Sequence, residues 1–319
     1  MNTLSQRIIA GDVRALSRAL TLVEDRSEPY LEILNDLYRH AGGAVTIGIT
    51  GPPGAGKSTL VDRLIGHYHG RGRRIGVVAV DPSSAFSGGA ILGDRIRMQD
   101  WAMKENVFIR SMATRGHMGG LAPATDDILT VLDAAGYDVL LVETVGVGQD
   151  EVDIVREADT VLLVLVPGMG DEVQALKAGV MEIADVFVVN KADREGADRV
   201  ERELKQLLAL SPDDAPRPPI VRTVASSGEG MEDLTAALDT LAGADGDAAR
   251  KRLRDKYRHK FLNLLKDRFL ARMRGRGLSD AAIDAHVEAF LDRREAPYSV
   301  AEAYLERLFQ TGAGGGVGS

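Results

Sequence analysis

The stretch AVTIGITGPPGAGKST, Ala44–Thr59, decides how the rest of the chain is read. An apolar run, Ala44–Thr50, enters a glycine-rich loop, and a helical pattern from Lys57 to about Gly70 leaves it. Strand, loop and helix thus follow in the order that the phosphate-binding motif G-x-x-x-x-G-K-[ST] requires. Gly51, Gly54 and Gly56 let consecutive backbone N–H groups turn inward around an anion, and the positive end of the following helix dipole points at the same place. Pro52, Pro53, Ala55 and Thr59 complete the loop. Lys57 adds a point charge on the outer phosphates, and the Ser58 hydroxyl is a ligand suited to Mg²⁺.

The remainder of the sequence is compatible with such a site. With 319 residues, 45% of them apolar, the chain can build one large α/β domain and helical additions. A net charge of −8, from 47 acidic against 39 basic residues, gives no footprint for nucleic acid or an anionic membrane surface. A nucleotide held in a local nest needs no global positive charge. The absence of cysteine removes disulfides, thiolate zinc sites and a cysteine nucleophile, and it suits a reducing cytoplasm. Early charges in MNTLSQRIIAGDVRAL argue against a signal peptide, and no apolar run approaches the ~20 residues of a membrane span. The expectation is a cytoplasmic protein with no membrane and no nucleic acid among its partners.

Taken in order, residues 1–42 read as an N-terminal helical extension, with Leu16, Leu20 and Val23 on one helix and Leu31, Leu34 and Leu37 on another. Residues 43–243 alternate strand and helix. The predicted strands are Ala44–Thr50, Arg74–Val80, Asn106–Met112, Asp138–Val142, Thr160–Val166, Asp185–Val189 and Ile220–Val224. The helices between them include Pro123–Ala135, Val173–Ala184, Asp198–Leu210 and Met231–Leu241. Strands that are apolar throughout belong to a parallel sheet covered on both faces, so the fold class is a doubly wound α/β P-loop domain. Residues 244–311 change character. Leu253, Tyr257, Phe261, Leu265 and Phe269 recur every four residues along a charged helix, which reads as a dimerisation arm or as an intramolecular brace. Ser279 or Asp280 is expected to cap a second helix, and Ser299 with Glu302 a third. Residues 312–319 carry neither periodicity nor charge and read as a flexible tail.

Chemistry is expected where strands end. Asp81 closes RIGVVAVD and Glu143 closes DVLLVE, so both should reach the crevice at the carboxyl edge and serve, with Ser58, as hard oxygen ligands for Mg²⁺. Asp94 is a third candidate from the loop after Asp81. Asn190-Lys191-Ala192-Asp193 follows the strand DVFVV. An aspartate there accepts hydrogen bonds from the ring N–H and amine of guanine, and adenine lacks both donors. Asn190 braces the loops, the Lys191 stem lies across the base, and the turn around Ser226 and Ser227 offers backbone N–H groups to the guanine carbonyl. Gly146 is placed to sense a γ-phosphate. Gln149 is a candidate for positioning the attacking water, although it stands two residues farther from Glu143 than the usual D-x-x-G-Q spacing. His67 and His69 diverge on their helix, and His117 has no second ligand nearby, so no transition-metal site is expected.

Together GPPGAGKST, DPSSAFSGGAILGDRIRM, TRGHMGG, VETVGVGQ, PGMGDEVQ and NKAD resemble the MeaB/ArgK family, GTPases associated with methylmalonyl-CoA mutase. The resemblance implies a homodimer that binds GTP and GDP with Mg²⁺ and hydrolyses GTP. It also implies a chaperone that gates adenosylcobalamin loading and protects the mutase. On that likeness Lys57 and Ser58 contact phosphate and metal, Asp81, Asp94 and Glu143 surround magnesium, and Asn190 and Asp193 read guanine. Residues 167–177 correspond to an extra switch facing the partner. Two readings of other kinds stand beside it: a kinase that passes phosphate to a small molecule or transport protein, and a structural nucleotide-binding scaffold.

Overall fold

The computed structural model describes residues 1–81, 98–113, 124–144, 158–168, 184–209, 217–243 and 247–310. Asp94, Gly146, Gln149, His117, most of the 167–177 segment, the helix expected over Val173–Ala184 and the tail all lie outside those residues. The chain divides into two compact units, the first ending at Gly246 and the second beginning at Asp247.

Seven strands make up the sheet of the first unit: β1 Val45–Thr50, β2 Ile75–Asp81, β3 Val107–Ala113, β4 Val139–Glu143, β5 Thr160–Leu165, β6 Val186–Asn190 and β7 Ile220–Thr223. All described pairings are parallel, in the spatial order β3-β2-β4-β1-β5-β6-β7. This is the P-loop α/β architecture, with the phosphate-loop strand at the centre and the direction of winding reversing beside it, where open α/β sheets bind ligands.

Alternation along each strand assigns the two faces. Val77, Leu141, Leu162, Val164, Val186 and Val188 point into one core, closed by α4 (Lys57–Gly70) through Leu60, Leu64 and Ile65 and by a later helix, Met231–Ala242, through Leu234 and Leu238. Their neighbours point the other way and divide into two cores. Val78, Val80, Leu140 and Val142 pack with Ile128 and Leu132 of the helix Thr125–Ala134 and with the N-terminal helices α1 (Thr3–Ile9), α2 (Val13–Glu24) and α3 (Tyr30–Tyr38). Leu163, Leu165, Phe187 and Val189 pack with Val200 and Leu204 of the helix Ala197–Leu208. Both faces of the sheet are therefore buried, which is why these strands are apolar at every position.

In chain order the remaining helices are α5 (Gln99–Ala102), α6 (Thr125–Ala134), α7 (Ala197–Leu208), α8 (Met231–Ala242), α9 (Asp247–Arg274), α10 (Asp280–Leu291) and α11 (Pro297–Gln310). Asp133 of α6 fixes the entry to β1, its carboxylate accepting the N–H groups of Gly42, Gly43 and Ala44 at 2.5, 3.1 and 3.0 Å. The N-terminal extension thus packs on the sheet domain through α6.

In the second unit Ser279 caps α10, its hydroxyl accepting the Ala282 N–H at 3.2 Å. The expected cap at Ser299 is corrected. Helix α11 starts at Pro297, where a fixed φ and a missing N–H suit the first helical position, and Ser299 sits inside the first turn, donating to the Ala296 carbonyl at 3.0 Å. Along α9, Leu253, Tyr257, Phe261, Leu265 and Phe269 are between 38% and 60% exposed. Among the described residues no helix is long and apolar enough to cross a membrane.

Candidate functional site

The loop between β1 and α4 takes its shape from three glycines in the left-handed region, with φ of +139° at Gly51, +75° at Gly54 and +89° at Gly56. At two of them the need for glycine is also steric. A Cβ on Gly51 would sit 2.2 Å from the Val164 carbonyl oxygen of β5, and one on Gly56 would sit 2.5 Å from the Asn190 amide nitrogen. The loop is therefore packed between neighbouring strand ends as well as bent. Lys57 is buried at the first position of α4, and its Nζ donates to the carbonyls of Gly51 and Pro52 at 2.8 and 3.1 Å. The ammonium is held against the opening residues of the loop, where it adds positive charge to the N-terminal end of α4.

One residue further, the Ser58 hydroxyl donates to Oε1 of Glu143 at 2.6 Å, and Glu143 is only 5% exposed. The register explains the meeting. Glu143 is the last residue of β4, flanked by Ile49 of β1 and Ala79 of β2, so it reaches the carboxyl edge between the phosphate-loop strand and the strand that ends at Asp81. The strand predicted to stop at Val142 runs one residue farther and carries the acid in its last pleat. A hydroxyl and a carboxylate oxygen brought together at the N-terminus of a phosphate-loop helix fit a Mg²⁺ ion, which takes hard oxygen ligands and shares them with phosphate. Below this pair, the buried hydroxyls of Thr144 and Thr50 lie 3.1 Å apart and tie the β4 exit to the end of β1. Asp81 ends β2 in register with Ala113 of β3. Among the described residues no group of three or more histidine, aspartate or glutamate side chains forms a metal cage.

The other half of the site is built around Asn190, the last residue of β6 and 2% exposed. Its Nδ2 donates to the Ala55 carbonyl at 2.8 Å, while its Oδ1 accepts from the Thr223 hydroxyl at 3.2 Å and from the Ala225 N–H at 3.1 Å. One side chain thereby joins the phosphate loop, the end of β6 and the turn after β7. Lys191, with φ of +55°, sends its Nζ to the Gly54 carbonyl at 2.7 Å, so its stem bridges from the β6 loop to the phosphate loop. Asp193, three residues past the strand, is exposed, and its carboxylate makes no hydrogen bond or ion pair among the described residues. Buried Asn190 is the brace, and exposed Asp193 stands two residues beyond Lys191 with its carboxylate uncommitted among the described residues.

The turn after β7 closes on itself through a Val224–Glu229 bridge. Ser226 and Ser227 are exposed at its tip, and the Ser227 hydroxyl donates to the Val224 carbonyl at 3.1 Å, so it shapes the turn from inside. Two contacts were not anticipated. Arg63 of α4 donates from Nε to the Ala225 carbonyl at 2.8 Å and from Nη2 to the Ser226 carbonyl. Asp62, its neighbour, accepts from the Trp101 indole N–H at 2.7 Å. Neither has a sequence signature, because side chains at adjacent helix positions that reach separate, distant segments leave no periodic trace.

Comparison with known proteins agrees with this geometry. The family "Methylmalonyl Co-A mutase-associated GTPase MeaB" matches residues 16–277. A putative GTPase of Pyrococcus horikoshii is 46% identical over 97% of this chain and 98% of its own. A putative GTPase of Pyrococcus abyssi is 56% identical over 73% of this chain and 74% of its own. The mouse protein named methylmalonic aciduria type A homolog, mitochondrial, is 35% identical over 77% of this chain and 64% of its own. A solved structure titled LAO/AO transport system kinase superposes with a TM-score of 0.68 at 24% identity, covering 97% of this chain and 99% of that one, which supports the fold.

Proposed function

We propose that this chain, which belongs to the MeaB family of methylmalonyl-CoA mutase-associated GTPases, is a homodimeric, cytoplasmic GTPase that gates adenosylcobalamin loading into methylmalonyl-CoA mutase and protects that enzyme. The GTPase activity is that of its relatives; the mutase partner, the dimer and the magnesium ion are the proposal. The contact between Ser58 and Glu143 on one side of the phosphate loop, with Asn190 gripping the same loop from the other, supports the nucleotide and metal site, and the family match supports the mutase partner. Phosphate chemistry and base recognition are thereby fastened to a single rigid piece of backbone.

Each residue then has a task. The backbone N–H groups of Gly54 to Thr59 and the Lys57 ammonium hold the phosphate chain of GTP and GDP, Pro52 and Pro53 having no N–H to donate. Ser58, Asp81 and Glu143, with Asp94, would hold Mg²⁺, which supplies charge neutralisation between the outer phosphates. Lys191 lies along the base, Asp193 accepts from the two guanine donors, and the turn at Ser226 and Ser227 faces the guanine carbonyl. Gly146 and Gln149 respond to the outer phosphate and orient water. Exposed Leu253, Tyr257, Phe261, Leu265 and Phe269 on α9 supply a surface for a second copy. A four-residue repeat drifts by roughly 40° per step on a 3.6-residue helix, so this surface is a broad winding band.

A regulator differs from a kinase in where the phosphate goes. With labelled GTP, release to water as inorganic phosphate, accelerated when methylmalonyl-CoA mutase is added, is the expected result. Transfer of label to a small molecule or a transport protein supports the kinase reading instead. An unchanged rate together with no co-purification of mutase removes the partner from the proposal.

A further inference from the structure

The arginine on α4 that reaches the β7 turn has an unusual set of acceptors. Among the described residues the Arg63 guanidinium meets no carboxylate; both of its hydrogen bonds go to successive backbone carbonyls, Ala225 and Ser226. The Ala225 carbonyl and the Ser226 N–H belong to one planar trans peptide unit, in which C=O and N–H point in opposite directions. Holding the oxygen therefore aims the hydrogen.

That hydrogen is also the one the turn leaves uncommitted. The Ala225 N–H donates to Asn190 Oδ1, the Ser227 and Gly228 N–H groups donate to the Val224 carbonyl, and the Glu229 N–H meets the Ser227 hydroxyl at 3.4 Å. The Ser226 N–H donates to nothing among the described residues. The loop beside it carries Asp193: Asn190 pairs in register with Thr223, and the Ala192 N–H donates to the Thr223 carbonyl at 3.1 Å. An outward backbone donor and an outward carboxylate thus come from two loops bonded to each other. Guanine presents the complementary set, a carbonyl acceptor at position 6 beside the ring N–H and exocyclic amine.

We infer that Arg63 is a specificity-determining positioning residue: it fixes the Ala225–Ser226 peptide plane so that the Ser226 N–H is directed at the 6-oxo group of the purine. The inference rests on the guanine reading of the site and adds to it a residue outside the nucleotide-binding motifs. It distinguishes two roles for Arg63. A staple between α4 and the turn affects every nucleotide alike, whereas a positioning residue affects those that own a strong acceptor at position 6.

Calorimetric titration of the full chain with GDP and with 6-thioguanosine diphosphate tests this, because the thio analogue keeps both donors read by Asp193 and replaces the carbonyl with a weak acceptor. Reversible partial unfolding of a variant raises both apparent dissociation constants by the same factor, so it does not imitate a loss confined to GDP. The wild type should prefer GDP. Arg63→Ala should weaken GDP about fivefold, the scale of one backbone hydrogen bond, and the thio analogue less than twofold. Arg63→Lys, which retains a single donor, should fall between. Equal weakening of both ligands, or GDP binding that does not change, overturns the inference and leaves the guanine reading intact. A wild type that binds neither ligand overturns both.

Discussion

The nucleotide half of the first unit and the long helix of the second use apolar and polar residues in opposite ways. Around Asn190 every reach of the side chain ends on a partner in the same chain, and the strands beside it are buried on both faces. Along α9, Phe261 is 60% exposed and Leu264, Leu265 and Leu270 between 47% and 55%. The first region is complete within one polypeptide. The second presents a large apolar band whose burial requires something else, and a second copy is the occupant proposed above.

The contrast is sharpest for Phe261→Glu. On the dimer reading, a charge in the band should convert the protein wholly to monomer in light scattering while GDP affinity stays within about twofold of wild type. An unchanged mass breaks the comparison at its weaker side. Asn190→Ala addresses the stronger side. It removes three hydrogen bonds, each worth about 1 kcal/mol, and leaves the Ala55 carbonyl without that donor and the Ala225 N–H without that acceptor. GDP affinity measured by calorimetry should fall by about a hundredfold with no change in oligomeric state. Gly56→Ala should cost about 1–2 kcal/mol in the strained backbone alone, close to tenfold in affinity, because φ is +89° and the new methyl meets the Asn190 amide.

The smallest effect concerns pH. His67 of α4 has a buried Nε2 with no hydrogen-bond partner among the described residues. Burial, followed by the nearby Arg71, holds its pKa below the usual 6.5 against the opposing pull of Asp239 and Glu232. The unfolded chain therefore takes up a proton before the folded chain does. Stability contributed by neutral His67 is full above about pH 6.5, declines as pH falls through that value, and levels off below the folded pKa. Melting temperatures between about pH 5 and 8 should show a shallower acid slope for His67→Gln; identical slopes remove histidine from the account.

Much of this organisation is legible in the chain. The apolar runs give all seven strands, and four of them end one residue beyond the predicted stop, at Asp81, Ala113, Glu143 and Asn190. Three of those four ends are polar, and hydrophobic periodicity does not register the backbone pairing that carries a strand through a polar residue. Lys57, Ser58 and Asn190 are found by motif, since each acts at a fixed offset from a glycine turn or strand end. Arg63, Asp62 and Asp133 are not, because each bonds to a segment more than 35 residues away in sequence, and no local pattern registers such reach. The Ser299 signature fails for the opposite reason: its local pattern is sound, but Pro297 starts the helix first.

The bond between Asp62 and Trp101 has a practical consequence. Trp101 is the sole tryptophan of the chain, it lies against Gly66, and its indole is fastened to the helix whose first residues cradle phosphate. Excitation of the protein at indole wavelengths therefore interrogates a single known position, bonded to α4 about one helical turn from Ser58. A change in its emission on addition of GDP would report a rearrangement at that helix without any attached dye.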